Sequence, residues 1–246
     1  MSVAPRQAMV LAAGLGTRMR PLTEWTAKPL LPLGGRALLD HALQRLAEAG
    51  VARVVVNAHW QAGVVRAHLA RWRGAPEIVL REEASLLDTG GAVLAALEAG
   101  DLADAPFFVV NGDAFWLDGP SAALGRLARR FDPAVADVCL LLHRTFQVHA
   151  ETGPGDFSLD EWGRPARRGE MQIVPYIYAG VQLATPALYV GAPEGAFSNN
   201  LLWDRAIASG RAQAVVHDGL WFHLSTPEDL AEAEMRLCAG ETGEST

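Results

Sequence analysis

A doubly wound α/β domain on a mostly parallel sheet is the fold this sequence predicts, and three observations predict it. Short apolar runs alternate with stretches of helical period through residue 142. Such an order calls for right-handed crossovers that lay helices on a parallel sheet. The runs are apolar throughout instead of alternating with polar residues, as strands buried on both faces are. Finally, glycine-containing turns follow the carboxyl ends of two runs, which is where open α/β sheets place ligands.

Ala8 to Ala12 is the first buried strand, closed by Gly14. Arg36 to Ala49 carries Leu38, Leu39, Ala42, Leu43, Leu46 and Ala47 at helical spacing and stops at Gly50. Arg53 to Asn57 is the second strand, and Gly63 to Trp72 the second helix. Glu77 to Leu80, Gly91 to Ala99 and Phe107 to Val110 continue as strand, helix and strand, the last ending at Asn111-Gly112-Asp113. Ala123 to Phe131 is a fourth helix and Val135 to Leu142 a fifth strand.

After His143 the texture changes to Gly, Pro and short β-like pieces such as Ile173 to Tyr178, which predicts a smaller β-rich part packed on the first. Asn199 to Ala208 is a helix, and Ala212 to Val216 and Leu220 to Leu224 are late strands. Thr226, Pro227, Glu228 and Asp229 start the last helix with a cap, a first-position proline and acids in the first turn. The expected organisation is a core over 1–143, a β-rich part over 144–224 returning to it, and a terminal helix with a frayed tail (Glu241 to Thr246) over 225–246, in one compact domain.

A net charge of −7 argues against a nucleic-acid partner held on a broad basic face, but not against a small anion in a local positive pocket. No run is long enough to span a membrane, and Met1 to Gln7 is too short and polar for a signal peptide, so the cytoplasm is the expected compartment. Cys139 and Cys238 have neither the number nor the spacing of a disulfide framework or metal site, and Cys139 lies in an apolar run. The expected state is a monomer or small homo-oligomer.

Lys28 is the only lysine; the other 20 of the 21 basic residues are arginines. Arg is a planar fork, whereas Lys is a compact point charge that meets a single phosphate oxygen end-on. Lys28 follows Leu11-Ala12-Ala13-Gly14-Leu15-Gly16-Thr17-Arg18-Met19-Arg20-Pro21-Leu22-Thr23, a loop whose glycines let backbone N–H groups approach phosphates. Met19 stands where a dinucleotide fingerprint needs its third glycine, and no Gly-Lys-Ser/Thr follows as a Walker loop needs. Gly-x-Gly alone is a plain turn; with Arg18 and the lone lysine it is a phosphate site.

The loop and the Lys28-Pro29-Leu30-Leu31-Pro32 segment resemble those of the sugar-1-phosphate nucleotidyltransferases. Asp88-Thr89-Gly90-Gly91, Asn111-Gly112-Asp113 and Trp221 to Glu228 extend the resemblance, which is closest to short bacterial members that act on N-acetylmuramate 1-phosphate or mannose 1-phosphate. It implies a Rossmann-like nucleotide-binding core with a sugar-binding β-rich part, and attack of a sugar-1-phosphate oxygen on the α-phosphorus of a nucleoside triphosphate, with Mg²⁺. It gives catalytic roles to Arg18, Lys28 and Asp113, the last as metal ligand; the plainer reading of Asp113 is a turn aspartate after a strand, and the metal role is preferred to it. It places the nucleotide among Leu11, Ala12, Ala13, Gly14, Gly16, Thr17, Glu83, Gly90, Gly91 and Asn111. Glu83 falls where the family reads the base. A carboxylate only accepts, so it takes the ring N–H of uracil or guanine, not adenine, and does not separate UTP from GTP. Otherwise Glu83 is a solvated acid.

One position departs from the family. Where its members carry a second metal-binding Asp in Trp-x-Asp-x-Gly-Thr, this chain has Trp221-Phe222-His223-Leu224-Ser225-Thr226. His223 is a candidate metal ligand leaning toward Mn²⁺, a phosphate donor, or a packed histidine. The resemblance puts the sugar near Asp156 and near Tyr178-Ala179-Gly180, with Arg167 and Arg168 close enough in sequence to pair with a lactyl carboxylate. His59 and Trp60 are expected at the crevice rim, and Trp203 in the core. UTP with N-acetylmuramate 1-phosphate is the preferred substrate pair, GTP with mannose 1-phosphate the alternative, and a non-catalytic nucleotide-sugar sensor the alternative of another class.

Overall fold

The computed structural model describes residues 5–148 and 153–242. Strand β1 (Gln7–Leu11) is followed by a two-residue hairpin, β2 (Pro32–Leu33) and β3 (Arg36–Ala37), and by α1 (Leu38–Glu48). Next come β4 (Arg53–Ala58), α2 (Ala62–Leu69), β5 (Glu77–Glu82), α3 (Asp88–Glu98), β6 (Phe107–Asn111), β7 (Phe115–Leu117), α4 (Ala123–Arg130) and β8 (Val138–Arg144). The remainder is β9 (Phe157–Leu159), β10 (Pro165–Arg167), β11 (Tyr176–Ala184), α5 (Asn199–Ala208), β12 (Ala212–Val216), β13 (Leu220–Phe222) and α6 (Pro227–Thr242).

Nine of these strands form one sheet. β1 lies between β4 and β6, parallel to both, and β4 pairs with β5 in parallel. β11 runs antiparallel between β6 and β8, and β12 extends the sheet in parallel beyond β8. The β9–β10 hairpin attaches where Tyr176 of β11 meets Phe157, so the β-rich stretch after His143 is joined to the main sheet.

The apolar runs are strands because each residue finds a helix to cover it. Ala8, Val10, Val54, Val56, Phe108 and Val110 pack on one face with Leu39, Leu43 and Leu46 of α1 and Leu127 of α4. The residues between them, Met9, Val55, Phe107 and Val109, pack on the other with Val93 of α3 and Leu202 and Trp203 of α5. This period of two, apolar on both sides, is the signature of a doubly covered sheet. A third cluster joins Met19, Leu33, Leu38 and Phe115 to Leu224 and Leu230, and thereby fastens α6 to the first hairpin.

From β1 the chain moves outward through β4 to β5 and then returns to β6 on the opposite side of β1. The switch point between β1 and β6 opens a crevice at their carboxyl ends. The two ends meet closely: the Gly112 N–H donates to the Leu11 carbonyl at 2.8 Å. An added Cβ at Gly112 would lie 2.9 Å from that same oxygen, so only glycine fits there.

Several boundaries differ from the sequence expectation. β8 starts at Val138, not Val135, because the Asp132 side chain caps the Ala134 N–H in a turn. β11 starts at Tyr176, and Ile173 stands outside it, 87% exposed. α6 begins as its sequence dictates, with the Asp229 N–H donating to the Thr226 hydroxyl at 3.2 Å and the Asp229 carboxylate accepting from the Ser225 and Thr226 N–H groups. It runs through Thr242; residues 243–246 of the expected tail and 1–4 of the leading segment lie outside the described residues. Among the described residues no helix is long and apolar enough to cross a membrane.

Candidate active site

Two adjoining cavities occupy the crevice, one of about 600 Å³ and one of about 370 Å³. The larger is lined by the loop from Leu11 to Met19, with Lys28, Asn57, Glu83, Asn111 and Asp113. The smaller is lined by Asp156, Arg167, Tyr178, Gly180, Trp203 and His223. Arg18, Lys28, Thr89, Asn111, Asp113 and Ser225 line both, so the two cavities share one wall of charge.

The loop shape follows from its residues. Gly16 takes a left-handed conformation with φ 59° and ψ 30°, which glycine adopts without a Cβ penalty. A Cβ there would also crowd Thr23 at 3.1 Å and Lys28 at 3.2 Å. The Thr23 hydroxyl donates to the Gly16 carbonyl at 2.8 Å and folds the loop back on itself. A single tight turn, Thr17–Met19, then buries Met19 and leaves Arg18 on the cavity side. No atom would meet a Cβ at Gly14, so that stretch of backbone faces open space.

Lys28 begins a second tight turn, Lys28–Leu30. Its Nζ lies 2.5 Å from Oδ2 of Asp113, with the two side chains 13% and 34% exposed. Asp113 is presented by the turn after β6, in which the Ala114 N–H donates to the Asn111 carbonyl at 2.9 Å. The lone lysine and the expected metal-binding carboxylate therefore face a common cavity, each the other's counter-ion.

Glu83, just past β5, is not a solvated acid. Its Oε1 accepts from Asn57 Nδ2 at 2.7 Å and its Oε2 from the Leu87 N–H at 3.2 Å, with the carboxylate on the cavity wall. His59 donates through Nδ1 to the Glu83 carbonyl, and Trp60 donates to the Thr23 carbonyl, so both brace the rim.

Gly90 and Gly91 require a correction. Contrary to expectation, they are not on the cavity wall among the nucleotide-binding residues: α3 begins at Asp88, and both glycines are buried within it. Both N–H groups donate to the Phe197 carbonyl, at 2.8 and 3.1 Å. A Cβ on Gly90 would lie 2.3 Å from the Phe197 ring, and one on Gly91 2.2 Å from the Gly195 carbonyl oxygen. They let the segment before α5 approach α3, while Asp88 and Thr89 are the residues of that motif on the cavity wall.

In the smaller cavity, the Asp156 carboxylate accepts the Tyr178 N–H at 2.9 Å. Gly180 sits at a register shift in β11 with φ 79°, where a Cβ would meet that of Ala114 at 2.9 Å. Trp203, expected in the core, is buried and also forms the cavity floor, with its ring 4.6 Å from that of Tyr178. Arg167 lies over Phe157 at 4.7 Å and Trp203 at 5.5 Å and donates to Asp204 and Asn200. Arg168 instead donates to the Gly155, Gly169 and Glu170 carbonyls and is not a cavity residue.

His223 lines this cavity, and its Nε2 meets the Ser225 hydroxyl at 2.7 Å. Burial lowers its pKa, Asp229 opposes the shift, and Lys28 and Arg18 reinforce it. A neutral imidazole tied to a hydroxyl thus stands where the resemblance puts a second carboxylate. Among the described residues no group of three or more His, Cys, Asp or Glu is placed to hold a metal ion.

Sequence reasoning missed Asn57, which is 3% exposed and accepts the Ala12 N–H at 2.8 Å. The available signal was a polar residue closing an otherwise apolar strand at the ligand end of the sheet.

Comparison with known proteins shows the family and agrees with this fold. The family model described as "MobA-like NTP transferase domain" matches residues 8–225. N-acetylmuramate alpha-1-phosphate uridylyltransferase of Caulobacter vibrioides is 42% identical over 96% of this chain and 99% of its own length. The enzyme of the same name from Neisseria meningitidis is 31% identical over 93% of this chain and 96% of its own. The solved inositol-1-phosphate CTP transferase from T. maritima superposes with a TM-score of 0.76 at 20% identity, over 98% of this chain and 99% of that one, a likeness of fold. On the matched span and these near-full-length relatives, the chain belongs to the MobA-like NTP transferase domain family.

Proposed function

We propose that the protein transfers the uridylyl group of UTP to N-acetylmuramate 1-phosphate. A phosphate oxygen of the sugar forms a bond to the α-phosphorus as the bond from that phosphorus to the bridging oxygen of pyrophosphate breaks. The observation that carries this reading is the continuous cleft: two cavities, each sized for one substrate, meeting at Arg18, Lys28 and Asp113. Two anions that repel each other must be aligned there, and alignment with charge neutralisation is nearly all the chemistry asks of the protein.

The triphosphate lies along the Leu11 to Thr17 loop, with Arg18 on the leaving pyrophosphate and Lys28 at the reacting phosphates. Glu83 accepts the ring N–H of the base, and Asn111 lies beside the phosphates. The carboxylate of Asp113 suits a divalent cation of the magnesium type, which takes one or two protein carboxylates and fills its shell with phosphate oxygens and water. The ion supplies charge neutralisation on those oxygens when bound. Nε2 of His223 is engaged by the Ser225 hydroxyl, so we assign the His223–Ser225 pair to the sugar phosphate and not to the ion.

The sugar occupies the smaller cavity, between Asp156, Tyr178 and Gly180. Besides Arg18 and Lys28, which serve phosphates, Arg167 is the one arginine or lysine among the described residues lining it. It is therefore the partner for the lactyl carboxylate of muramic acid, a role Arg168 does not reach. The near-full-length relatives named for that substrate support this choice.

Pyrophosphate release, measured with each nucleoside triphosphate against a panel of sugar 1-phosphates and with Mg²⁺ or Mn²⁺, tests the reading. UTP with N-acetylmuramate 1-phosphate should give the highest kcat/KM, and a chelator should abolish it. Tight nucleotide-sugar binding without release under any combination would replace the enzyme by a sensor.

A further inference from the structure

Three strand ends meet at Asn57. It is the penultimate residue of β4, lies level with Leu11 of β1 and sits one residue before the pairing of Ala58 with Glu82 of β5. Its side chain spans all three. Oδ1 accepts the N–H of Ala12, the first residue of the phosphate loop, at 2.8 Å, and Nδ2 donates to Oε1 of Glu83 at 2.7 Å. The residue is 3% exposed; its bond to Ala12 is buried, and its bond to Glu83 is partly buried at the cavity wall. A side-chain amide has both a donor and an acceptor to offer, and here each has one partner.

We infer that Asn57 is the positioning residue of base recognition: it fixes the Glu83 carboxylate relative to the phosphate loop, so that the base edge and the triphosphate are measured from one point. The inference rests on the reading of Glu83 as the base-binding group. Among the described residues, Oε2 of Glu83 is held only by the Leu87 N–H at 3.2 Å, and this leaves the Asn57 bond as the shorter of the two that orient the carboxylate. A carboxylate held in this way accepts the N3–H of uracil. Cytosine presents N3 as a bare acceptor, which the carboxylate repels, and rejection of the wrong base is then as much a part of the device as acceptance of the right one. A carboxylate free to swing could turn away from cytosine, and discrimination would fall.

The sharp variant is Asn57→Asp, which keeps an oxygen for the Ala12 N–H but sets a second carboxylate oxygen against Glu83 in place of the donor, so the group that held Glu83 now repels it. It should lower kcat/KM for UTP by about 10- to 100-fold, mostly through KM, while CTP as alternative substrate changes by less than about threefold. The UTP-to-CTP ratio should collapse as it does in Glu83→Ala, and the double variant should be no worse than Glu83→Ala alone. Inhibition by inorganic tripolyphosphate, which has no base, should be unchanged in Asn57→Asp and so reports an intact loop. A preserved ratio in Asn57→Asp, alongside a collapsed one in Glu83→Ala, overturns the role of Asn57 and leaves that of Glu83 standing. A preserved ratio in Glu83→Ala overturns both. Loss of tripolyphosphate binding in step with UTP would make Asn57 a structural strut, which also overturns the inference.

Discussion

Lys28→Arg keeps the charge and changes its shape, and this makes it the most informative single substitution in the cleft. The lysine stem leaves a crowded backbone, with the position of a Gly16 Cβ only 3.2 Å from its own Cβ. Its side chain is 13% exposed, and Nζ reaches Asp113 Oδ2 at 2.5 Å. A guanidinium is planar and wider than an ammonium, so it cannot set one point charge at that spot. Misplacing a donor aimed at charge that develops in the transition state costs about 2.7–4 kcal/mol, or roughly 100- to 1000-fold in kcat. Folding should barely respond. Arg retains the attraction to Asp113, and because that carboxylate is about one-third exposed the pair is worth no more than about 1 kcal/mol, or about 2–4 °C in Tm. Steady-state pyrophosphate release and a thermal melt measure the two quantities side by side. A kcat within about threefold of the parent would refute the claim that an end-on ammonium is required.

Replacing Arg167 with Met should lower the preference for N-acetylmuramate 1-phosphate over N-acetylglucosamine 1-phosphate by about 10- to 100-fold, the value of a charged hydrogen bond. The ratio cancels any packing change beside Phe157 and Trp203, so an unchanged ratio would remove Arg167 from the sugar pocket. Gly91→Ala should destabilise the fold by about 1–3 kcal/mol, because its Cβ would fall 2.2 Å from the Gly195 carbonyl oxygen; an unaltered melting temperature would show that the α3–α5 approach is loose. Burial, with help from His217 and Arg144, holds the His143 pKa down to about 4, and burial lowers that of His217 as well. Both are neutral in the fold and take up protons more readily when unfolded, so their contribution is complete above about pH 6.5 and is lost as pH falls toward 4. Melting temperatures across that window should fall more steeply for the parent than for His143→Gln, by on the order of 1–3 kcal/mol at the acid end, and parallel curves would contradict it.

What the sequence disclosed and what it withheld divide along a physical line. Strands buried on both faces advertise themselves, since Ala8 to Leu11, Val54 to Val56 and Phe107 to Val110 need apolar residues at every position. The β2–β3 hairpin and β7 do not, because strands of two or three residues carry no period to detect, whereas β13 was legible within the expected strand Leu220 to Leu224. Gly16 was legible because its demand is local: a left-handed turn next to Thr23 and Lys28. Gly90 and Gly91 were misread because their demand comes from Gly195 and Phe197, about a hundred residues further on, and no local pattern announces such a partner. Arg167 and Arg168 were indistinguishable in sequence; strand alternation in and after β10 sends the first over Phe157 and the second to the Gly155 carbonyl.

The separation of Lys28 from Asp113 by 85 positions also explains why that pair needed a fold to be seen. Lys28 is carried on a turn that leaves the first loop, and Asp113 on the turn after β6; the switch in strand order around β1 is what brings the two turns to one crevice. At that point an ammonium and a carboxylate neutralise each other, so the charged wall between the cavities can stay partly buried in a protein whose net charge is −7. Substrates change the balance. In the proposed reaction two phosphate-bearing ligands would bring far more negative charge than one carboxylate offers, and the lysine would then have better partners than Asp113. An arginine could hold the resting pair as well or better, through a bidentate fork. That only the lysine survives here, in a chain that uses arginine everywhere else, argues that this position is set by the geometry of the phosphates and not by the salt bridge seen without them.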